Sequence, residues 1–394
     1  MRTLRSTLAL GMIAILTAVL PGCGAPSQPQ IGPPAGGTGA AGDLVEGPIP
    51  FDGSRAVSVA TSAAVKVRYR STSGVDDSPT VVSGVVFVPK GPAPDGGWPI
   101  VSVGHPGTGV RTECAPSMYP DLLGSLATVI ALVQRGFVVA MTDYEGLGSP
   151  GVHPFLEPKT AAYNVIDAAR AARQVVPDAS PRWVTYGYSQ GGQASWAANE
   201  YAAQYGSGLD LLGSVSVAPA ADLSALAPEL ANGTVTQDQI VLVPALLQGL
   251  ETVHPQLDPA DYLHGVIAQR QQALLGCGGA DDEARAEIVA AATPADVAPA
   301  TAQAAGDLQR WLSEAALPQR RASSPMYLAY GGRDQTLLPS WTAAAAERAC
   351  QLGDTVETVV QPNAGHEDLD VFDRSVQWIA DRFAQEPAPN SCPG

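Results

Sequence analysis

Three polar side chains, far apart along the chain, have the neighbours that nucleophilic catalysis requires. Ser189 sits in Gly187-Tyr188-Ser189-Gln190-Gly191, and no other serine of the chain has glycine at both second neighbours. A serine carried through a sharp strand-to-helix turn has its hydroxyl lifted above the sheet edge, and flanking glycines let neighbouring backbone pass close by. The following helix N-terminus then points at whatever binds there. A serine hydroxyl is a poor nucleophile at neutral pH. It needs a base to take its proton and an acid to hold that base in one tautomer. On such a turn the acid and then the base follow the serine in chain order. Asp334, after Gly331-Gly332-Arg333, and His366, after Asn363-Ala364-Gly365, occupy those places. His105, His153, His254 and His264 all precede Asp334. Asp222 is the geometric rival for the acid; Glu367 and Asp368 adjoin His366 but would have to fold back on it. A developing oxyanion needs two backbone N–H groups. Gln190 at the helix start supplies one, and the loop His105 to Gly109 supplies the other, from either Gly107 or Thr108.

The elements that must carry these residues follow from hydrophobic period and punctuation. Val65 to Tyr69, Thr80 to Pro89, Trp98 to Val103, Phe137 to Thr142, Trp183 to Tyr188 and Leu211 to Val217 read as strands. Helical spacing appears over Leu122 to Gln134, Thr160 to Arg173 and Gln190 to Tyr205. This alternation predicts an α/β protein with a mostly parallel, doubly wound sheet. From Pro219 to Ser324 no strand is evident, and apolar helical pieces such as Ile240 to Leu250 and Ala284 to Ala292 are separated by Pro and Gly. So long a stretch is no mere connection and predicts a helical cap over the sheet edge. Strand rhythm returns at Met326 to Tyr330 and Val356 to Val360, with helices over Trp341 to Gln351 and Val371 to Phe383. The organisation expected is a core in two parts, 51–218 and 325–394, interrupted by a cap at 219–324.

The beginning of the chain reads as an address. Arg2 and Arg5 precede an apolar run from Leu8 to Leu20, which is short for a membrane span and suits the core of a signal peptide over residues 1–22. Leu20-Pro21-Gly22-Cys23 resembles a bacterial lipobox, in which Cys23 would carry the lipid; a plain secretory signal is the alternative. Residues 23–50, rich in Gly, Pro, Ala, Ser and Gln, are expected to form a disordered tether. Four cysteines remain, Cys114, Cys277, Cys350 and Cys392, an even number that reads as two disulfides in an exported protein. Their spacings match no zinc pattern. The net charge of −16 over 394 residues repels phosphate backbones and so argues against nucleic acid, and against a polybasic grip on anionic lipid.

Five motifs in order resemble the secretory lipase family of α/β-hydrolases, which includes fungal lipase A types and actinobacterial relatives. They are Gly104-His105-Pro106-Gly107-Thr108-Gly109 with Cys114-Ala115-Pro116-Ser117, Asp143-Tyr144-Glu145-Gly146-Leu147-Gly148, Gly187 to Gly192, Gly332-Arg333-Asp334, and Gly365-His366. The likeness runs from about Phe51 to Cys392. It implies an α/β-hydrolase fold, a triad of Ser189, Asp334 and His366, a helical lid at Pro219 to Ser324, and disulfides joining Cys114 to Cys277 and Cys350 to Cys392. The expected activity is hydrolysis of acyl esters, lipids among them, through an acyl-enzyme and without metal or cofactor. Acyl transfer to an alcohol uses the same triad, peptide hydrolysis is a more distant rival, and a surface-anchored lipid-binding protein that has lost catalysis is the reading from a different class.

Overall fold

The structure, a computed structural model, describes residues 39–278 and 282–393. The expected signal peptide, Cys23 and most of the expected tether lie outside the described residues.

Among the described residues, nine strands form one mixed sheet in the order β1-β2-β3-β5-β4-β6-β7-β8-β9. They are β1 (Leu44–Pro50), β2 (Thr61–Thr72), β3 (Pro79–Pro89), β4 (Trp98–Gly104), β5 (Val138–Thr142), β6 (Ala179–Tyr188), β7 (Asp210–Val217), β8 (Met326–Gly331) and β9 (Val356–Gln361). Pairings from β1 to β3, and of β3 with β5, are antiparallel; every pairing from β5 through β9 is parallel. In the parallel half the register sets Gly104 beside Gly187, Tyr188 beside Val217, and Gly331 beside Gln361. The loops that follow β4, β6, β8 and β9 therefore leave from one edge, and they contain His105, Ser189, Asp334 and His366.

The helices are α1 (Arg55–Ala60), α2 (Leu126–Gln134), α3 (Pro158–Val175), α4 (Gln190–Tyr205), α5 (Leu226–Asn232), α6 (Gln237–Val253), α7 (Gly265–Leu275), α8 (Asp282–Ala291), α9 (Ala302–Ala315), α10 (Pro339–Gln351) and α11 (Phe372–Phe383). The central strands are buried on both faces, so they read as continuous apolar runs rather than as alternations. Successive residues still serve opposite layers. Ile100 and Trp183 pack with the Ala-rich faces of α3 and α4, while Val101 and Val184 pack with Leu132 of α2 and Trp378 of α11.

Between β7 and β8 the chain forms α5 to α9 and, among the described residues, no strand. These helices have an apolar core of their own, which includes Leu230, Leu247, Ile267 and Trp311, and loop residues Phe155 and Leu337 of the sheet edge insert into it. Thr236 and Gln239 form a reciprocal capping box that starts α6. The insertion leaves and rejoins the core at a narrow neck. Leu317 N–H donates to Ala221 O at 2.7 Å, and Arg348 spans Asp222 Oδ2 at 2.5 Å and Leu317 O at 3.0 Å.

Two sequence expectations differ from the structure. Residues 44–50, placed in the tether on composition, are the edge strand β1: Leu44 is buried, and the strand pairs with β2 from Tyr69 to Val65. Pro48 and Pro50 lack the N–H a central strand would need, and an edge strand tolerates that. The helix expected from Leu122 begins at Leu126, because Leu122 and Leu123 both take positive φ (54° and 48°) in a short 3-10 turn capped by Asp121.

Candidate active site

At the β6–α4 junction Ser189 has φ 56° and ψ −116°, a conformation costing of the order of 1–3 kcal/mol that the surrounding contacts must impose. They do so from three sides. Ser189 N–H donates to Val217 O at 2.9 Å, while its own carbonyl accepts from Gln193 N at 3.1 Å and Ala220 N at 3.2 Å. The flanking glycines are required by close approach. A Cβ on Gly187 would lie 1.9 Å from Gly191 O, and one on Gly191 would lie 2.0 Å from Gly104 O.

His366, on the loop after β9, has Nε2 3.0 Å from Ser189 Oγ and Nδ1 2.7 Å from Asp334 Oδ2. Asp334 is 1% exposed, and its other oxygen accepts two backbone N–H groups, from Thr336 and Leu337, each at 2.8 Å. Both carboxylate oxygens are thus committed, and the imidazole is held as Nδ1–H with Nε2 free to accept the serine proton. The rival acids sit elsewhere. Asp222 is bound to Arg348 at the neck, Asp368 Oδ1 accepts the Gly365 N–H, and Glu367 lines the cavity rim.

Ser189 and His366 open on a cavity of about 550 Å³. Its far wall comes from the helical insertion, with Val241, Leu242 and Ala245 of α6 and Leu274 of α7, joined by the charged Asp238 of α6 and Arg285 of α8; Gly107 and Gln190 lie on the near wall. The Thr108 hydroxyl donates to Cys114 O at 2.8 Å, so this side chain is engaged away from Ser189. A smaller chamber of about 90 Å³ lies beyond Phe155, Leu156 and Ala220, which line both spaces. The structure contains the disulfides Cys114–Cys277 and Cys350–Cys392.

Chain-order reasoning passed over His153, which lies just behind the serine. His153 Nδ1 is 2.8 Å from Glu145 O, a carbonyl that can only accept, so Nδ1 carries the proton. Nε2 must then accept, and Gln190 Nε2 donates to it at 2.9 Å. Burial pushes His153 down to about 3, so the ring is neutral across the useful pH range. The Asp143–Gly148 motif, which supplies Glu145, and the histidine shortly after it were the available signal.

This yields a stability prediction. An unfolded histidine takes up a proton near 6.5, whereas His153 resists it to about 3. Between those values the unfolded chain binds the extra proton, so stability falls as pH drops. Replacing His153 with Gln removes that slope. Urea unfolding at pH 7 and pH 4.5 is expected to show wild type losing about 2 kcal/mol more than His153→Gln on acidification. Glu145, pushed up to about 7 by burial, contributes an opposite slope to both proteins and cancels in the comparison. Equal pH slopes would show that His153 is protonated in the native state.

A serine elbow at the carboxyl edge of a largely parallel sheet, with an aspartate after β8 and a histidine after β9, makes this an α/β-hydrolase fold. Similar solved structures extend over most of the chain. Lipase A of Candida antarctica in its closed state matches with a TM-score of 0.68 and 18% identity, over 90% of this chain and 84% of that one. The ligand-bound rice cell wall degrading esterase LipA of Xanthomonas oryzae matches with a TM-score of 0.65 and 21% identity, over 88% and 95%. The family model described as secretory lipase matches residues 124–282 of the chain. A curated relative, described as a probable inactive lipase of Mycobacterium tuberculosis (strain CDC 1551 / Oshkosh), is 32% identical over 198 residues. That match spans 47% of this chain and 43% of the relative, less than half the length of each.

Proposed function

We propose that this chain is an exported serine ester hydrolase acting on acyl esters with apolar chains. Ser189 is the nucleophile, His366 the general base and acid, and Asp334 the group that fixes the imidazole. His366 takes the Ser189 proton as Oγ attacks the ester carbonyl; the alcohol leaves with that proton, and water repeats the cycle on the acyl-enzyme. Gln190 N–H and an N–H of the loop after β4, at Gly107 or Thr108, hold the oxyanion. The observation that carries the reading is the continuous hydrogen-bonded line from Ser189 Oγ through His366 to Asp334, at 3.0 and 2.7 Å.

The apolar stretch of the far wall, Val241, Leu242, Ala245 and Leu274, supports a lid role for residues 219–324 and a substrate with a hydrocarbon arm. Each methylene buried there is worth about 0.8 kcal/mol. Across p-nitrophenyl esters from acetate to octanoate, kcat/KM is therefore expected to rise at least about tenfold. A flat or falling profile would reduce the reading to a short-chain esterase. Lipid attachment at Cys23 would hold the enzyme at a membrane surface; mass spectrometry of the mature N-terminus tests it.

The probable inactive relative favours a second reading, a lipid-binding protein without turnover. A fluorophosphonate probe separates the two: covalent labelling at Ser189 supports the hydrolase, and an unlabelled folded protein supports the binder.

A further inference from the structure

We infer that the segment Gln272 to Gly278 of the helical insertion is a strut that positions the oxyanion loop. The insertion is then fixed on that side of the site and takes part in the chemistry there. The inference rests on the hydrolase reading above and extends it.

The loop after β4, Pro106-Gly107-Thr108-Gly109, contains two glycines and cannot hold one conformation by itself. Contacts with the insertion supply the constraint. Val110 N–H donates to Leu275 O at 3.1 Å, and Gly278 N–H donates back to Thr108 O at 3.3 Å. Between these two rungs the Cys114–Cys277 disulfide joins the same segments covalently. Gly109, at φ +114°, fits because it has no side chain: a Cβ would lie 2.6 Å from Gly276 O and 2.7 Å from Cys114 Sγ. Further out, the Arg111 guanidinium bonds Gln272 O and, at 3.1 Å, Gln272 Oε1. Arg285 of α8 closes the far side, with Nη1 3.2 Å from Ala273 O and Leu274 O. Thr108, Gly109, Val110 and Arg111 each meet the strut. At the other end the loop is tied to the sheet, where Tyr144 Oη donates to His105 O at 3.1 Å. Gly107 lies between these two anchors, facing the cavity.

Oxyanion stabilisation depends on placement. Losing one donor costs about 10²- to 10³-fold in kcat, and a displacement of about 1 Å costs about 10²-fold. A loosened strut should therefore lower kcat while leaving ground-state binding, and so KM, nearly untouched.

The test compares full-length wild type, the pair Cys114→Ser with Cys277→Ser, and the control pair Cys350→Ser with Cys392→Ser, using p-nitrophenyl butanoate. Both pairs lose a disulfide and some melting temperature. The first pair is expected to lose about 10- to 100-fold in kcat, with KM within about twofold. The control pair should keep kcat within about twofold. Should the first pair fail to fold, Arg111→Ala loosens the strut from an accessible position and is expected to lower kcat about threefold at unchanged KM. An unchanged kcat in the variant that folds, or equal losses in both disulfide pairs, overturns the strut. Activity that survives Ser189→Ala, or no activity in wild type, overturns the hydrolase reading and the inference with it.

Discussion

Replacing Ser189 with alanine is expected to lower kcat for a p-nitrophenyl ester by about 10⁵- to 10⁶-fold, with the fold and KM largely retained. The size follows from what is removed. Without Oγ there is no covalent route, and what remains is the oxyanion site acting on a water that His366 is not placed to activate. Alanine keeps the backbone demands of the elbow, since the constraint at φ 56° comes from Val217 O, Gln193 N and Ala220 N rather than from the hydroxyl. His366→Ala should cost nearly as much, and the double variant little more than either single one. Groups that act as one unit give such non-additive losses. Purified variants checked by circular dichroism and assayed at saturating ester would show this. If the two losses multiplied, Ser189 and His366 would be working independently, and the 3.0 Å contact between them would not be the proton path. The same series separates the hydrolase reading from the lipid-binding one, because a chain that only binds lipid would show no difference between wild type and Ser189→Ala.

What could be read from the sequence divides along the range of the interactions involved. The strands of the parallel half are legible because each contains a short apolar run, as at Val138 to Met141 and Met326 to Tyr330. The elbow is legible because Gly187 and Gly191 are needed by contacts within a few residues of Ser189, apart from Gly104 O. Ser189, Asp334 and His366 stand out because chain order and strand position narrow the choice before any coordinates exist. The edge strand β1 was hidden, since its Gly and Pro content matches that of a tether; only pairing with β2 and burial of Leu44 distinguish it. His153 was hidden for a different reason. Its role depends on Gln190 and Glu145 O meeting in space, and no local pattern records that. The contacts between residues 108–111 and 272–278 were equally out of reach, because they join segments more than 160 residues apart that only the Cys114–Cys277 pair foreshadows.

The acid offers the sharpest test of hydrogen-bond polarity in the site. Asp334→Asn is expected to lower kcat by about 10⁴-fold without unfolding the protein. Asp334 Oδ1 accepts from both Thr336 N and Leu337 N, so an asparagine must leave its carbonyl oxygen there to avoid facing donors with donors. Its NH₂ then occupies the place of Oδ2, 2.7 Å from His366 Nδ1. A donor at that point requires Nδ1 to accept, and the proton moves to Nε2. Nε2 can then only donate to Ser189 Oγ, the reverse of what nucleophile activation needs. Asp222→Asn provides the comparison, because Asp222 serves the neck through Arg348. It is expected to cost some stability but to leave kcat within about threefold. Nitrogen chemical shifts of His366 should report the proton on Nδ1 in wild type and on Nε2 in Asp334→Asn. A near wild-type rate in Asp334→Asn together with a collapse in Asp222→Asn would transfer the orienting role to the other carboxylate. A slow variant whose His366 keeps its Nδ1 proton would show that Asp334 acts through its negative charge and not by fixing the tautomer.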